Sequence, residues 1–231
     1  MVRLRLHGKG NIPRLDCMGR MRFEESFNIH RYTIEASDKI AVVVIDMQND
    51  FVHERGPFAA AGAPKYAGPI IPHIRRLLDA ARRNQIPVVF TRQVSRPDLF
   101  DAVQNRSLKS KTAYCVQGTW GAEIVDELKP LAQDFVVDAP RRNRFYDSRL
   151  ELILRKLGVS SLVFTGFASD GCVESTVRDA DARDYKLIVL SDGTATTDPV
   201  RHEAALISMS RVAMISTVDK VLEAIALKAI A

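Results

Sequence analysis

A cysteine stands where an apolar segment passes through a Gly-rich turn into a second segment. Positions 161–180 read SLVFTGFASDGCVESTVRDA, and the apolar or β-branched residues at 162–165 predict a strand buried on both faces. Ser169 or Asp170 can cap the helix that follows, which places Cys172 in its first turn. Free N–H groups and the positive end of the helix dipole favour a thiolate there, so Cys172 suits a nucleophile. A small, buried core cysteine fits the same pattern.

Two other functional motifs are only partly matched in the same stretch, and neither is complete. Gly166 and Gly171 have the spacing of a phosphate-binding loop, but cysteine and valine follow where lysine and serine or threonine are required. Ser169 is not a serine nucleophile of the elbow type, because Phe167 stands where that motif needs a glycine. Cys172 is therefore the nucleophile candidate of this stretch.

A carboxylate ends the first strong strand signal of the chain. Positions 39–46 read KIAVVVID, a continuous β-branched run that predicts a central parallel strand ending at Asp46. Ligands bind at the carboxyl ends of the strands in open α/β sheets, so Asp46 is a candidate site residue. A solvated acid that merely closes a strand is the alternative interpretation.

Strand and helix patterns alternate along the whole chain. Predicted strands occupy 39–46, 86–91, 134–138, 161–165, 186–190 and 214–216. Predicted helices occupy 69–84, a short segment within 118–130, 147–157, the segment from Cys172 onward, 199–212 and 220–229. This order predicts an α/β fold, a doubly wound, mostly parallel six-stranded sheet with helices on both faces.

The same patterns divide the chain into an arm and one domain. Positions 1–37 lack a sustained period and predict an N-terminal arm, in which 32–34 could add a short strand. Positions 38–231 form one predicted domain, and the long polar loop at 92–112 is typical of a lid or binding loop.

Composition excludes several classes of protein. The apolar runs are all shorter than a membrane span, so we expect a soluble chain with no membrane partner. The net charge of +5 comes mostly from the first twenty residues, and no nucleic-acid motif accompanies it, so no nucleic-acid partner is predicted. Three widely spaced cysteines, with no secretory signal before them, predict a reducing, cytoplasmic compartment.

Four motifs occur together in the predicted domain: VIDMQNDF at 44–51, GTWGAEI at 118–124, FYDS at 145–148, and the Gly-rich segment at 166–179. In this order they resemble the isochorismatase-like cysteine hydrolases, a superfamily that includes nicotinamidases, N-carbamoylsarcosine amidohydrolase, biuret hydrolase and ureidoacrylate amidohydrolases. The resemblance implies a triad of aspartate, lysine and cysteine, with Asp46 as the carboxylate and Cys172 as the nucleophile. It also implies an oxyanion hole of the Ala168 and Cys172 N–H groups, with a cis peptide between Phe167 and Ala168.

The lysine of that triad is missing, because by register its position is Ala139. Either an engineered substitution or a natural loss explains the alanine, and we favour the engineered one because the rest of the site is intact. Without a cation, Asp46 should act as a like charge that raises the pKa of Cys172, and the chain should be impaired. Lys109 and Lys111 in the 92–112 loop are interpreted as solvated residues.

The resemblance implies a hydrolase of a C–N bond in a small amide or ureido (carbamoyl) compound, acting through an acyl-thioenzyme. Candidate substrate-binding residues are Gln48, Asn49, Trp120 and Arg141. No cofactor is implied and no metal is predicted, because the Asp-x-His of nicotinamidases is absent and His53 and His73 suit surface or packing positions. The resemblance also implies a homo-oligomer, a dimer or tetramer. Two alternatives stay open: a pseudoenzyme that binds a small ligand, and an isochorismatase-type vinyl-ether hydrolase.

Overall fold

The central sheet has six strands, all parallel to one another. The structure is a computed structural model that describes residues 27–29, 37–102 and 113–230. The strands are β1 (Ile40–Ile45), β2 (Val88–Gln93), β3 (Phe135–Ala139), β4 (Ser161–Phe167), β5 (Lys186–Ala195) and β6 (Met214–Ser216). Every residue of β1 and of β4 is buried, as their β-branched runs predict. The predicted doubly wound sheet is therefore confirmed.

Seven α-helices connect or cover the strands in the part of the chain that the structure describes. They are α1 (Asn49–Val52), α2 (Ala63–Ala67), α3 (Ile70–Arg83), α4 (Leu150–Leu157), α5 (Glu174–Asp181), α6 (Pro199–Met209) and α7 (Val218–Ile230). The apolar stripe of α3 is buried, with Ile74, Leu77 and Leu78 facing the sheet. None of these helices is both long and apolar enough to cross a lipid bilayer.

Alternating residues of the strands build a hydrophobic core on each side of the sheet. Val42 and Val44 of β1 belong to the core that includes α3 and α7. Val43 and Ile45 point to the opposite face, into the core that includes α4, α5 and α6. Both faces of the sheet are thus covered by helices, which explains why the strands are apolar throughout.

The strand order is β3-β2-β1-β4-β5-β6, so the winding direction reverses between β1 and β4. These two strands are neighbours, and Ile45 pairs with Gly166 at their carboxyl ends. Outside such a reversal the loops diverge and leave a crevice, which is where open α/β sheets bind ligands. The fold therefore brings the residue after β1, Asp46, next to the turn after β4, which carries Cys172.

Three local predictions need correction. The short helix expected within 118–130 is two separate 3-10 turns, Trp120–Ala122 and Asp126–Leu128. Neither Ser169 nor Asp170 caps a helix through its side chain; Ser169 contacts His202, and Asp170 bonds to Thr196. Cys172 was expected in the first turn of the helix after β4, but it lies in a π-helical turn, Ser169–Val173, that precedes α5.

Most of the predicted arm and part of the predicted lid lie outside the described residues. Residues 1–26 and 30–36 of the arm are not described, nor are 103–112 of the loop, which include Lys109 and Lys111.

Gly166 allows β1 and β4 to approach at the site. Its φ is +121°, and a Cβ there would lie 2.0 Å from the carbonyl oxygen of Ile45.

We expect Gly166→Ala to lower the free energy of unfolding by at least about 3 kcal/mol, because backbone strain and overpacking add together. Gly158→Ala is the matched control, since its φ is also positive (+64°) but the nearest atom, on Lys39, is 3.8 Å away. It should cost about 1 kcal/mol in urea unfolding. Equal losses for the two variants would contradict this account.

Candidate active site

Asp46 follows β1 in a backbone conformation that side chains seldom adopt. Its φ is +51°, in the left-handed region, and its N–H donates to the carbonyl of Thr91 at 3.0 Å. The side chain is fully buried. Non-glycine residues in this region carry a local energetic cost and concentrate at functional sites. This strained backbone conformation places the Asp46 carboxylate at the crevice.

Cys172 lies in the π-helical turn that joins β4 to α5. The peptide bond between Phe167 and Ala168 is cis, which confirms the prediction made from the resemblance. The N–H groups of Gly171 and Val173 both donate to the carbonyl of Ala168, at 3.0 and 3.1 Å. Single π-turns of this kind are frequent at functional sites. Cys172 as a whole residue is 8% exposed, so it is buried.

The guanidinium of Arg144 stands between the acid and the thiol. Its Nη2 contacts Oδ2 of Asp46, lies 3.1 Å from Sγ of Cys172 and lies 3.3 Å from Oε1 of Gln93. Its Nη1 donates to the carbonyl of Ala139 at 3.1 Å. The expectation that alanine at position 139 leaves the pair without a cation is therefore wrong: a buried cation contacts both groups, and it comes from five residues further along the chain.

Hydrogen bonds tie the backbone of Arg144 to the helix that carries the cysteine. The N–H of Arg144 donates to Oγ1 of Thr176 at 3.1 Å, and that hydroxyl donates to the carbonyl of Cys172 at 2.6 Å. The carbonyl of Arg144 accepts from the hydroxyl of Ser148 at 2.5 Å. Arg144 itself is fully buried, the largest side chain in that state among the described residues. Its position is thus fixed from the backbone as well as from the guanidinium.

Burial and charge move the pKa of each group in this triad. Burial raises the pKa of Asp46, although Arg144 and the hydrogen bond with Cys172 act in the opposite direction. Burial and the charge of Asp46 raise the pKa of Cys172 to about 12, against the influence of Arg144. Burial opposes the charge of Arg144, but Asp46 and Cys172 raise its pKa. At neutral pH the resting site therefore holds a guanidinium cation and a protonated thiol.

Asp46 and Cys172 border a cavity of about 540 Å³, which is within the usual range for small-molecule sites, whereas Arg144 lies behind them. Among the described residues the cavity is lined by Asp46, Phe51, Phe58, Ala61, Gln93, Tyr114, Arg142, Phe167, Ala168, Asp170, Gly171, Cys172, Thr196, Thr197 and Arg201. Phe51, Phe58 and Tyr114 contact one another at ring-centroid distances of 5.0 to 5.6 Å and form an aromatic wall. Arg142 and Arg201 add two cations to the lining.

Two of the predicted substrate-binding residues support the backbone instead of the cavity. Gln48 donates to the carbonyls of Gln93 and Ala122 at 2.9 and 2.8 Å and accepts from the N–H of Gln93 at 2.8 Å. Asn49 donates to the carbonyl of Trp120 at 2.9 Å. Neither side chain lines the cavity. Their amides are used to fix the loop after β1 against the loop that precedes β3.

The other two predicted binding residues also lie outside the cavity lining. Trp120 is 43% exposed, and it packs edge-on against His53 and beneath the guanidinium of Arg55. Arg141 donates to the carbonyls of Asp101 and Pro140, and the next residue, Arg142, lines the cavity in its place.

Neither predicted packing histidine has a metal-binding neighbourhood. His53 packs edge-on against Trp120, and Nδ1 of His73 lies 3.5 Å from Oδ2 of Asp192. The described ranges contain no group of three or more His, Cys, Asp or Glu side chains placed to hold a metal ion.

A parallel α/β domain with an acid, a guanidinium and a thiol at its winding reversal has the layout of a small-molecule enzyme. The sequence model described as the isochorismatase domain matches residues 40–220. The chain belongs to the isochorismatase family, which confirms the resemblance drawn from the motifs.

Named relatives and solved structures agree with this membership. The chain is 35% identical over 179 residues to ureidoacrylate amidohydrolase RutB of Methylorubrum extorquens, a match that covers 71% of this chain and 72% of the relative. The crystal structure of an isochorismatase-like hydrolase from Alkaliphilus metalliredigens superposes with a TM-score of 0.71 at 33% identity, covering 80% of this chain and 98% of that one. N-carbamoylsarcosine amidase from Thermoplasma acidophilum gives a TM-score of 0.65 at 30% identity, covering 78% and 97%.

The two described cysteines should differ in reactivity. Cys115 is fully buried and lies outside the cavity lining, whereas Cys172 borders the cavity. Burial raises the pKa of both thiols, so access decides the difference. We expect iodoacetamide to modify Cys172 of the native protein at least about tenfold faster than Cys115, measured by mass spectrometry of the peptides. In urea the two rates should converge. Equal rates in the native protein would show that the cavity does not reach Cys172.

Proposed function

We propose that this chain is a cysteine hydrolase that cleaves a C–N bond in a small amide or ureido compound. The observation that carries the proposal is the contact of one Arg144 nitrogen with both Oδ2 of Asp46 and Sγ of Cys172, beside a cavity of small-molecule size. A nucleophile within reach of a base, with a third group that orients both, is the general arrangement for covalent catalysis. The relatives named as an amidohydrolase and an amidase support the type of bond.

The proposed reaction starts with a proton transfer inside the triad. Asp46 takes the proton of the Cys172 thiol, and the sulfur attacks the carbonyl carbon of the substrate. The carbonyl electrons move to the oxygen, which the N–H groups of Ala168 and Cys172 stabilise. The C–N bond then breaks, and Asp46 returns the proton to the leaving nitrogen. Water hydrolyses the resulting acyl-thioenzyme and restores the thiol.

The cavity supports a compact substrate with two different ends. The wall of Phe51, Phe58 and Tyr114 suits a flat or apolar group, which gains from contact with aromatic faces and edges. Arg142 and Arg201 favour a substrate that carries negative charge, although Asp170 lies 3.4 Å from Arg201 and offsets part of it. Relatives named ureidoacrylate amidohydrolase make a ureido acid the first compound to test.

Whether Ala139 impairs the chain is part of this proposal, and assay of the unmodified chain decides it. The sequence alone predicted impairment because no cation was expected beside Asp46 and Cys172. Arg144 supplies a cation at that place, so we now expect the unmodified chain to be active. The same panel should include a vinyl-ether substrate, because an isochorismatase-type hydrolase is one of the alternatives.

The first test is hydrolysis of a panel of small amide and ureido compounds, followed by ammonia or amine release. Cys172→Ala should lower kcat by at least about 10³-fold, because it removes the nucleophile. Cys115→Ala should retain turnover, since Cys115 lies outside the cavity lining. Undiminished turnover by Cys172→Ala would refute the covalent mechanism, and a silent unmodified chain would favour a ligand-binding protein.

Asp46→Asn should change hydrolysis and thiol reactivity in opposite directions. Asparagine cannot accept the proton, so kcat should fall by about 10² to 10⁴-fold. The same change removes a negative charge that raises the pKa of Cys172, so the thiolate becomes easier to form at neutral pH. Alkylation of Cys172 by iodoacetamide at pH 7 should therefore accelerate. A parallel decrease of both rates would mean that Asp46 positions the sulfur and does not act through its charge.

A further inference from the structure

We infer that Arg144 is a third catalytic residue, the cation that holds Asp46 and Cys172 in the charge states needed for attack. The inference rests on the proposed function for its meaning in turnover, but its effect on the thiol can be measured without any substrate.

A single nitrogen of Arg144 contacts both reacting groups. Nη2 touches Oδ2 of Asp46 and lies 3.1 Å from Sγ of Cys172, while Oε1 of Gln93 is 3.3 Å away. No other Lys or Arg in the described part of the chain forms an ion pair or hydrogen bond with Asp46. The acid and the sulfur therefore share one cation, and that cation is within contact distance of the atom that would attack.

The route of the side chain explains why position 139 is alanine. Nη1 of Arg144 donates to the carbonyl of Ala139, so the guanidinium lies against the backbone of the residue where the family has its lysine. Ala139 is 1% exposed, so a long side chain there would have to displace buried neighbours, including that guanidinium. A small residue at 139 and a large cation at 144 are thus two parts of one arrangement.

The charges of the triad balance before and after the proton moves. With Asp46 ionised by its contact with Arg144, the resting carboxylate and the cation sum to zero, and the thiol is neutral. When the proton passes from Sγ to the carboxylate, the thiolate and Arg144 sum to zero again. Nη2 contacts both partners, so it can pair with either anion without moving far. Without this cation, each state would contain an unpaired buried anion, which is strongly unfavourable.

Arginine also fixes which groups can titrate. A guanidinium stays protonated throughout the working pH range, so Arg144 neither donates nor accepts the catalytic proton. The ionisable groups that face it are Asp46 after β1 and Cys172 after β4, with Asp50 and Cys115 beyond them. Gln93 and Thr176, which contact it from β2 and α5, are neutral. The ionisation of the thiol should therefore depend on the two groups that contact Arg144 directly, Asp46 and Cys172.

The opposite interpretation treats Arg144 as a plug that neutralises Asp46 and silences the site. The two interpretations differ in what removal of the charge does. A catalytic cation promotes the thiolate, so its loss slows alkylation and hydrolysis. A plug withholds Asp46 from the thiol, so its loss accelerates hydrolysis.

The experiment compares Arg144→Met, Arg144→Lys and Arg149→Met with the unmodified chain. Arg149 is an exposed arginine outside the cavity lining, so Arg149→Met is the control for the same chemical change. The two readouts are the pH profile of iodoacetamide alkylation at Cys172, followed by peptide mass spectrometry, and kcat and KM on any substrate found.

We expect Arg144→Met to slow alkylation at pH 7 at least about tenfold, which corresponds to a rise of one unit in the thiol pKa. Its kcat should fall by about 10²-fold with a smaller change in KM. Arg144→Lys should keep both rates within about tenfold, because it retains the charge. Arg149→Met should match the unmodified chain.

A swap variant keeps the test decisive if Arg144→Met does not fold. The double variant Ala139→Lys/Arg144→Ala supplies the cation from position 139 instead of position 144. It should restore the rates of alkylation and turnover that are lost when Arg144 is removed. Ala139→Lys alone places two cations against one carboxylate in a buried space, so we expect it to lower activity.

The inference would be overturned if Cys172 of Arg144→Met were alkylated as fast as Cys172 of the unmodified chain, or if that variant hydrolysed substrate faster. If Arg144→Met folds poorly, failure of both Arg144→Lys and the swap variant to maintain alkylation would overturn it instead. A panel without any substrate, combined with alkylation that depends on Arg144, would refute the proposed function and leave the inference standing.

Discussion

The whole site depends on burying one guanidinium between an acid and a thiol. Arg144 is fully enclosed, and a buried charge is tolerated only when it is paired and hydrogen-bonded. Asp46 supplies the counter-charge, and Gln93 and the carbonyl of Ala139 occupy further donors. Nε of Arg144 has no hydrogen-bond partner among the described residues, so loss of Asp46 would leave a buried cation without its counter-charge, and the site and the local fold stabilise each other.

The sheet supplies this site from four neighbouring strand ends. Asp46 follows β1, Gln93 ends β2, Ala139 ends β3, and Cys172 lies in the turn after β4. Their carboxyl ends lie together because all strand pairs are parallel and the winding reverses between β1 and β4. Close approach at Gly166 and the left-handed backbone of Asp46 are the local costs of this convergence.

Much of this architecture follows from the sequence. Apolar and β-branched segments predicted all six strands, and the apolar stripes predicted the long helices, because periodicity reports burial directly. The motifs also singled out Asp46 and Cys172, which the structure brings together through a shared cation. Regular elements are therefore readable from one sequence, and so are the residues that stand immediately at their ends.

The direction and the partners of side chains in irregular segments could not be predicted in the same way. The sequence predicted no cation beside Asp46 and Cys172, because strand register places alanine at position 139 and the lysines of the 92–112 loop were interpreted as solvated. Arg144 reaches the same point through the turn of 140–148. Arg141 and Arg142 are adjacent, yet only Arg142 lines the cavity, since no period governs side-chain direction in a loop. Gln48 and Asn49 have the polarity of binding residues, but their partners are backbone groups distant in sequence. An arginine within an otherwise family-like segment was the available signal.

The central claim is that Asp46 and Arg144 set the ionisation of Cys172 through opposing charges. The most direct measurement is a double-mutant cycle on the pKa of the Cys172 thiol, obtained from alkylation rates across pH for the unmodified chain, Asp46→Asn, Arg144→Met and the double variant. The account predicts a lower pKa in Asp46→Asn, a higher pKa in Arg144→Met, and a value between these two in the double variant. A thiol pKa that does not change on removal of Arg144, with Asp46 present or absent, would contradict it.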